Sequence, residues 1–347
     1  VKVMTGAIMP PGLDTVVPQE FAVVDGGRVR FAVKGLAAGD NRRLAGEDIR
    51  EGQVALPGGT RLTPAALGLL ASLGVPAVPV RRRLRVAYFS TGDEILSLGE
   101  PAREGAVYDS NRYTVFGLLT RLGVAVLDMG VVRDEPALLE AAFRQAALQA
   151  DAIITSGGVS VGEADHTKAM MKKLGADAGG VAFWRIAMRP GRPMAVGRIA
   201  RQEPVGLAKT GASPYGASAN SYQKSSNSDA AAVLFGLPGN PVAVMVTFLA
   251  FVRPALLRMM GCRPEAQPLL KARSQGPIRK RPGRTEYQRG IVATLPDGSL
   301  QVAITGNQGS GVLSSMVQAN GLIVLHHEQG DVAAGETVDV MMFEGVV

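Results

Sequence analysis

Ala152-Ile153-Ile154-Thr155-Ser156-Gly157-Gly158-Val159-Ser160-Val161-Gly162-Glu163-Ala164-Asp165-His166-Thr167-Lys168 is the stretch on which the fold turns. It opens on an apolar, strand-like run and closes on a helix-like run that continues to Leu174. Between them lies a loop of small residues. Glycine lets a backbone approach a ligand closely, so successive N–H groups can point at an anion, and a following helix N-terminus adds positive potential. The hydroxyls of Ser156 and Ser160 and the carboxylates of Glu163 and Asp165 share this loop, a set that suits a phosphate with a metal ion.

The flanks extend the pattern. Residues 84–89 read as a strand, and Ser110 opens a helix that Gly123 closes. Residues 124–127 read as a second strand. Asp134 opens a helix with Leu138, Ala142 and Ala146 beside Leu139, Phe143 and Ala147, which share one helical face. A βαβαβ series implies a parallel sheet with helices on both faces, and ligands of such sheets bind beyond the carboxyl ends of the strands. Both Ser90-Thr91-Gly92-Asp93-Glu94 and the 156–165 loop follow strands in that sense.

The expected architecture is a multidomain α/β chain. A central three-layer α/β/α domain with a mostly parallel sheet is flanked by a β-rich N-terminal portion and a small C-terminal β-barrel-like domain. The boundaries read as 1–46 for the β-rich fragment and 47–82 for a helical linking unit. The α/β domain takes 83–262 and the C-terminal β domain 263–347. Phe21 to Gly27 carries an Asp-Gly hairpin signal, and Thr63-Pro64 is an N-cap followed by a proline at the first helical position. Residues 200–232, rich in Ser, Ala, Gly, Asn and Gln, read as a mobile surface insertion. The chain starts at Val1 in a strand-like run, so it reads as lacking an N-terminal segment.

Composition narrows the function. The chain has 347 residues, is 46% hydrophobic and 19% charged, and holds one cysteine, Cys262. A disulfide framework or multi-cysteine metal site is excluded, and a reducing, cytoplasmic setting is expected. The apolar run 242–252, broken by Thr247, is too short to span a bilayer and reads as a buried helix. The net charge is +7, yet aromatic residues make up only 5% and are not interleaved with basic runs. Arg81-Arg82-Arg83 and Arg279-Lys280-Arg281 read as solvated edges, and a small anionic substrate accounts for the charge without nucleic acid. No P-loop, HExxH, CxxC or GxGxxG is present. Gly158-Val159-Ser160-Val161-Gly162 matches the nucleophile-elbow spelling, but the strand ends too early and the helix starts too late for that turn.

Asp93 and Glu94 at a strand end could hold Mg²⁺, which takes few carboxylates and completes its shell with phosphate oxygens and water. Arg185, Arg189 and Arg192 surround the turn Pro190-Gly191 and could clamp an oxyanion. Gly236-Leu237-Pro238-Gly239-Asn240-Pro241 precedes the apolar helix, with Asn240 as N-cap and Pro241 at its first position.

Together with Met4-Thr5-Gly6-Ala7, Gly46-Glu47-Asp48-Ile49, Tyr108-Asp109-Ser110-Asn111-Arg112, Arg133-Asp134-Glu135, Phe183-Trp184-Arg185, Gln288-Arg289-Gly290 and Asn307-Gln308-Gly309-Ser310, these stretches resemble the molybdopterin molybdenumtransferase family. Order and spacing agree over nearly the whole chain. The resemblance implies insertion of molybdate into adenylylated molybdopterin, with Mg²⁺-dependent release of AMP. It places Thr91, Gly92, Ser156, Gly157, Gly158, Ser160 and Gly162 around the pterin phosphate and nucleotide, and Asp93 with Glu94 at the metal. Glu94, Asp134, Asp165, Arg185 and Arg189 become the catalytic set. Pro238, Pro241, Arg289 and Ser310 approach molybdate. Thr5 and Asp48 belong to the part of the site supplied by the second subunit of a homodimer. The resemblance also implies a contact with molybdopterin adenylyltransferase and neither a nucleic-acid nor a membrane partner. Arg185 and Arg189 stand where many members carry lysine, and an Asp-Gly-Tyr/Phe-Ala-like stretch of the family has no counterpart. The rival readings are a molybdopterin adenylyltransferase, which resembles residues 83–262 alone, and a gephyrin-like scaffold.

Overall fold

The computed structural model describes residues 1–31, 35–159, 166–176, 180–201 and 231–343. It divides into two units, Val1–Val78 and Pro79–Val347.

In the first unit, β1 (Ala22–Asp25) and β2 (Arg28–Phe31) form an antiparallel hairpin across Gly26 and Gly27, both at positive φ. The β-rich character expected of residues 1–46 reduces, among the described residues, to this hairpin. Helix α1 (Pro64–Ser72) starts as its residues dictate: Thr63 Oγ1 accepts from the Ala66 amide at 3.3 Å, and Pro64 occupies the first turn.

The second unit opens with β3 (Arg85–Thr91), the short pair β4 (Ile95–Leu96) and β5 (Val107–Tyr108), α2 (Ser110–Leu122) and β6 (Ala125–Val132). It continues through α3 (Pro136–Gln149), β7 (Ala152–Ser156), α4 (His166–Lys173), β8 (Ala182–Arg185), β9 (Met188–Arg189), β10 (Pro193–Ala200) and β11 (Ala231–Leu237). The main sheet has the order β6-β3-β7-β11-β10-β8. Its first four strands are parallel, and β10 and β8 join antiparallel at one edge.

Alternation along β3 separates the two faces. Val86 and Tyr88 pack with Leu118 and Leu119 of α2 and the apolar helix that follows β11. Ala87 and Phe89 pack with Leu139 and Phe143 of α3 and Met170 of α4. Phe89 and Phe143 meet edge-to-face, with ring centroids 5.0 Å apart.

Several boundaries moved. Asp109, not Ser110, caps α2, its carboxylate accepting from the Arg112 amide at 3.0 Å. Helix α3 starts at Pro136 rather than Asp134. Strand β6 runs on past Asp128 to Val132, pairing with β3 as far as Thr91 opposite Val132, while Asp128 meets Arg112 Nε at 2.9 Å. Strands β8, β10 and β11 were not anticipated, and β11 begins inside the expected 200–232 insertion. Residues 202–230 of that insertion lie outside the described residues.

The apolar run became a longer helix than expected. α5 (Pro241–Thr247), a π turn (Phe248–Val252) and α6 (Arg253–Met259) are continuous. The whole helix is long and apolar enough by length and composition alone to cross a membrane, but it is the buried helix expected of the run. Its apolar residues, Val242, Val244, Val246, Phe248, Leu249 and Val252, are buried in the core.

The C-terminal strands are β12 (Leu270–Ser274), β13 (Thr285–Thr294), β14 (Leu300–Ile304), β15 (Gly321–Leu325) and β16 (Thr337–Met342), with α7 (Ser314–Gln318) before β15. Their order β14-β12-β16-β15-β13, closed by pairing of β13 with β14, makes a five-stranded barrel. Strand β9 leaves the α/β domain to pair in parallel with β13, Met188 opposite Thr285.

Two outcomes follow. Phe143→Ala, which empties a fully buried site, is expected to cost about 3–5 kcal/mol in chemical denaturation. Asp151, before β7, receives Arg82 bidentately at 2.7 Å and the Arg85 amide at 2.9 Å. Burial pushes its carboxyl up, but these donors outweigh burial and hold it below its ordinary value of 3.8. A lowered folded pKa gives stability that is complete above that value and disappears as pH falls through the folded one. Asp151→Asn should therefore flatten the acid limb of a melting-temperature profile and leave its slope near neutrality unchanged.

Candidate active site at the carboxyl edge of the sheet

Parallel strands share one carboxyl edge, so the loops after β3, β6, β7 and β11 emerge together. The antiparallel β10 returns the chain, and β8 again runs parallel to β11. The 186–192 loop, with Arg189 and Arg192, therefore emerges at the same edge.

The loop after β7 is packed so tightly that only glycine fits. Gly157 has φ 91°, and a Cβ there would lie 2.5 Å from the Thr91 carbonyl oxygen. Gly158 has φ 61°, and its Cβ would lie 2.3 Å from Thr167 Cβ. The Gly157 amide donates to the Leu237 carbonyl at 3.2 Å, binding the β7 end to the β11 end. Ser160, Gly162 and Asp165 lie outside the described residues.

Of the acidic residues singled out in the sequence, Asp93 and Asp134 are brought into contact. The Asp134 amide donates to Asp93 Oδ1 at 3.2 Å, and Thr167 Oγ1 donates to Asp134 Oδ1 at 3.4 Å. Gly92, at φ 140°, leaves room for the Glu94 carboxylate, whose nearer oxygen lies 2.6 Å from where a Cβ would be. Asp93 and Glu94 are exposed. Among the described residues no group of three or more His, Cys, Asp or Glu side chains is placed to hold a metal. A cavity of about 480 Å³ opens beside Gly92 and Asp93, lined also by Arg103, Arg133 and Glu135.

Ser156 and Thr91 sit differently from a simple phosphate ligand. The Ser156 hydroxyl is buried against Tyr88 Oη at 2.7 Å and Ser90 Oγ at 3.1 Å, and Thr91 Oγ1 donates to the Ser156 carbonyl at 3.4 Å. Burial raises the pKa of the Tyr88 hydroxyl, so it remains a neutral donor. Asp109 borders this cluster, and burial raises its carboxyl against the pull of the Arg112 amide and the Ser90 hydroxyl.

The barrel contributes a buried arginine. Arg289 on β13 is 1% exposed. Its Nε donates to Ser315 Oγ at 2.9 Å, and its Nη2 to the carbonyls of Gly309 at 3.0 Å and Asn307 at 3.3 Å. No carboxylate pairs with it among the described residues. Burial and the neighbouring Arg189 lower the guanidinium pKa, which marks two cations held close together. Ser310 is anchored to the loop after β11: its Oγ accepts from Asn240 Nδ2 at 3.0 Å, and its carbonyl from the Val242 amide at 3.1 Å. Asn240 therefore bridges to the barrel and does not cap α5 with its side chain, as had been expected. Arg289 and Ser310 are thus connected to the start of α5, where Pro241 lies; Pro238 stands three residues earlier, just after the end of β11. Arg189 lines a second cavity of about 380 Å³ with Arg279, Gln288 and Gln308. Arg185 is exposed at the end of β8. Thr5 and Asp48 are exposed residues of the first unit.

Thr167 and Asn111 were missed as site residues. Asn111 Nδ2 donates to the Gly239 carbonyl at 2.7 Å, holding the 236–241 loop to α2. A signal for it existed in the polar Asp109-Ser110-Asn111 at the start of an otherwise apolar helix.

A mostly parallel sheet with a glycine loop at its carboxyl edge, followed by a five-stranded barrel, defines a multidomain α/β protein. Residues 87–258 match the probable molybdopterin binding domain, residues 1–74 the MoeA N-terminal region (domain I and II), and residues 271–343 the MoeA C-terminal region (domain IV). The chain belongs to the molybdopterin molybdenumtransferase family, transferases of molybdenum cofactor biosynthesis. It is 39% identical to a molybdopterin molybdenumtransferase of Haemophilus influenzae, over 99% of this chain and 77% of that protein. It is 34% identical to one of a Nostoc species, over 98% of this chain and 71% of that protein. A crystal structure of the molybdopterin biosynthesis moeA protein from Pyrococcus horikoshii shares the fold, with TM-score 0.70 and 24% identity over 99% of this chain and 75% of that one.

Gly158→Ala is expected to destabilise the unit by about 1–3 kcal/mol through backbone strain and the clash with Thr167, read as a lowered melting temperature.

Proposed function

We propose that this chain inserts molybdate into adenylylated molybdopterin and releases AMP. The observation that carries the reading is Arg289, a buried guanidinium without a carboxylate partner among the described residues, bonded to the Asn307 and Gly309 carbonyls of the loop that carries Ser310. A buried cation lacking its counter-ion is costly unless an anion joins it. Molybdate is a dianion, and the wall of Pro238, Pro241, Arg289 and Ser310 receives it, with Arg185 and Arg189 adding charge.

The glycine loop of Ser156, Gly157, Gly158, Ser160 and Gly162, with Thr91 and Gly92, holds the phosphate of the pterin through backbone amides. Asp165 belongs with that phosphate loop, and Asp93, Glu94 and Asp134 take the nucleotide end. Their hard oxygens fit Mg²⁺, which needs only one or two carboxylates when phosphates complete its shell. Asp93 and Glu94 would hold the ion, and it would stabilise charge on the leaving AMP. A molybdate oxygen attacks the α-phosphorus of the anhydride and displaces the pterin phosphate. The dithiolene thiols then displace AMP, which keeps that oxygen, and one water from the metal, so no protein nucleophile and no redox change are required. The arginines and amides, preorganised before reaction, stabilise the charge that develops.

In the same reading Thr5 and Asp48 complete the site of the other subunit in a cytoplasmic homodimer that receives its substrate from molybdopterin adenylyltransferase. The partition 1–46, 47–82, 83–262 and 263–347 describes its domains.

The test supplies adenylylated molybdopterin, Mg²⁺ and molybdate without ATP and measures AMP. Molybdate-dependent release supports the reading. Absence of release where an authentic transferase works would favour adenylyl transfer or scaffolding instead. Arg289→Gln should lower the rate by about 10²-fold or more, the scale for loss of one preorganised charge-stabilising donor. Chelation of Mg²⁺ should stop release, and fresh Mg²⁺ should restore it.

A further inference from the structure

The chain holds one tryptophan, Trp184, and it is 54% exposed. It lies in β8, the edge strand of the main sheet, next to Arg185. Its strand neighbour Phe183 packs into the α3–α4 core, where Lys168 Nζ and Lys172 Nζ sit 5.2 Å and 5.8 Å from the ring centroid. Alternation along a strand puts Trp184 on the opposite face, where it pairs with Met194. Met194 belongs to the core shared with the barrel residues Leu322 and Met341. The indole is thus held by a braced strand on the barrel-side face, beside the edge where the loops emerge.

The strand order acts as a ruler along that edge. The order β6-β3-β7-β11-β10-β8 puts Asp134 after β6, Asp93 after β3, Gly157 after β7, Pro238 after β11 and Trp184 on β8. On the reading above, the substrate is a linear molecule: nucleotide, two phosphates, then a dithiolene-bearing pterin. With the nucleotide at β6 and β3 and the phosphate at β7, the pterin extends towards β11 and β8. Strand spacing makes the span from β7 to β8 about 14 Å, three steps of about 4.8 Å. The dithiolene then passes the molybdate wall at Pro238, and the flat heterocycle arrives at the exposed indole.

We propose that Trp184 is the stacking platform for the pterin ring of the substrate, an assignment that rests on the transferase reading for its direction along the edge. Planar heteroaromatic rings stack on exposed indoles, and the 54% exposure of Trp184 leaves a face of the ring open to do so.

Because Trp184 is the only tryptophan, the full chain reports on the platform directly. Molybdopterin, without the nucleotide, should quench its indole emission, whereas AMP alone should not. Trp184→Ala should raise KM for adenylylated molybdopterin about tenfold with kcat nearly unchanged, and Trp184→Phe should restore most of the loss. Molybdate affinity should not move. Quenching by molybdopterin in a protein that releases no AMP would keep the platform and remove the transferase mechanism. AMP release with a silent indole, or with wild-type KM in Trp184→Ala, would overturn the platform and leave the mechanism standing. Absence of any molybdopterin-induced change in emission would overturn it as well.

Discussion

Gly157 and Gly158 impose the constraint on which the rest of the second unit depends. A Cβ at either position would collide with Thr91 or Thr167 at 2.5 Å or less. Their bare backbone lets the end of β7 press between the end of β3 and the start of α4. That contact aligns the loops after β3, β6 and β7 and brings Asp93 and Asp134 together. A bulkier β7 loop would push the ends of β3 and α4 apart.

A second dependence runs through Arg289. Its guanidinium bonds the carbonyls of Asn307 and Gly309 and thereby shapes the loop that carries Ser310. Ser310 in turn receives Asn240 and the first free amide of α5. The barrel is therefore connected to the helix that fills the core of the α/β domain, and β9 adds a parallel pairing to β13. The bonds that shape the Ser310 loop are thus also bonds between the barrel and the α/β domain.

Legibility in the sequence followed the physics of each element. Long amphipathic segments were legible: α2 and α3 show their apolar faces, and Thr63-Pro64 and Gly123 mark helix ends by local chemistry. Strands β8 and β10 were not, because Trp184, Arg185 and Arg198 interrupt their apolar pattern and their pairing partners are supplied from elsewhere in the chain. The resemblance of ordered short stretches pointed to Asp93, Asp134, Arg289 and Ser310 but not to their partners. Thr167 and Asn111 act through a carboxylate and a carbonyl distant in sequence, and no local pattern encodes such bonds.

By itself the sequence determined the family, the alternation that demands a parallel sheet, the glycine loop, and the residue types able to hold phosphate, metal and oxyanion. These are local or ordered properties, written in spacing and in side-chain chemistry. Only the tertiary structure decided that Ser156 turns its hydroxyl inward, that Asn240 bridges to Ser310 instead of capping, and that Arg289 lies buried without a described carboxylate partner. It also decided that the loops line up in strand order along one edge. Those outcomes depend on which strands lie side by side, and that is settled by long-range packing of the whole core.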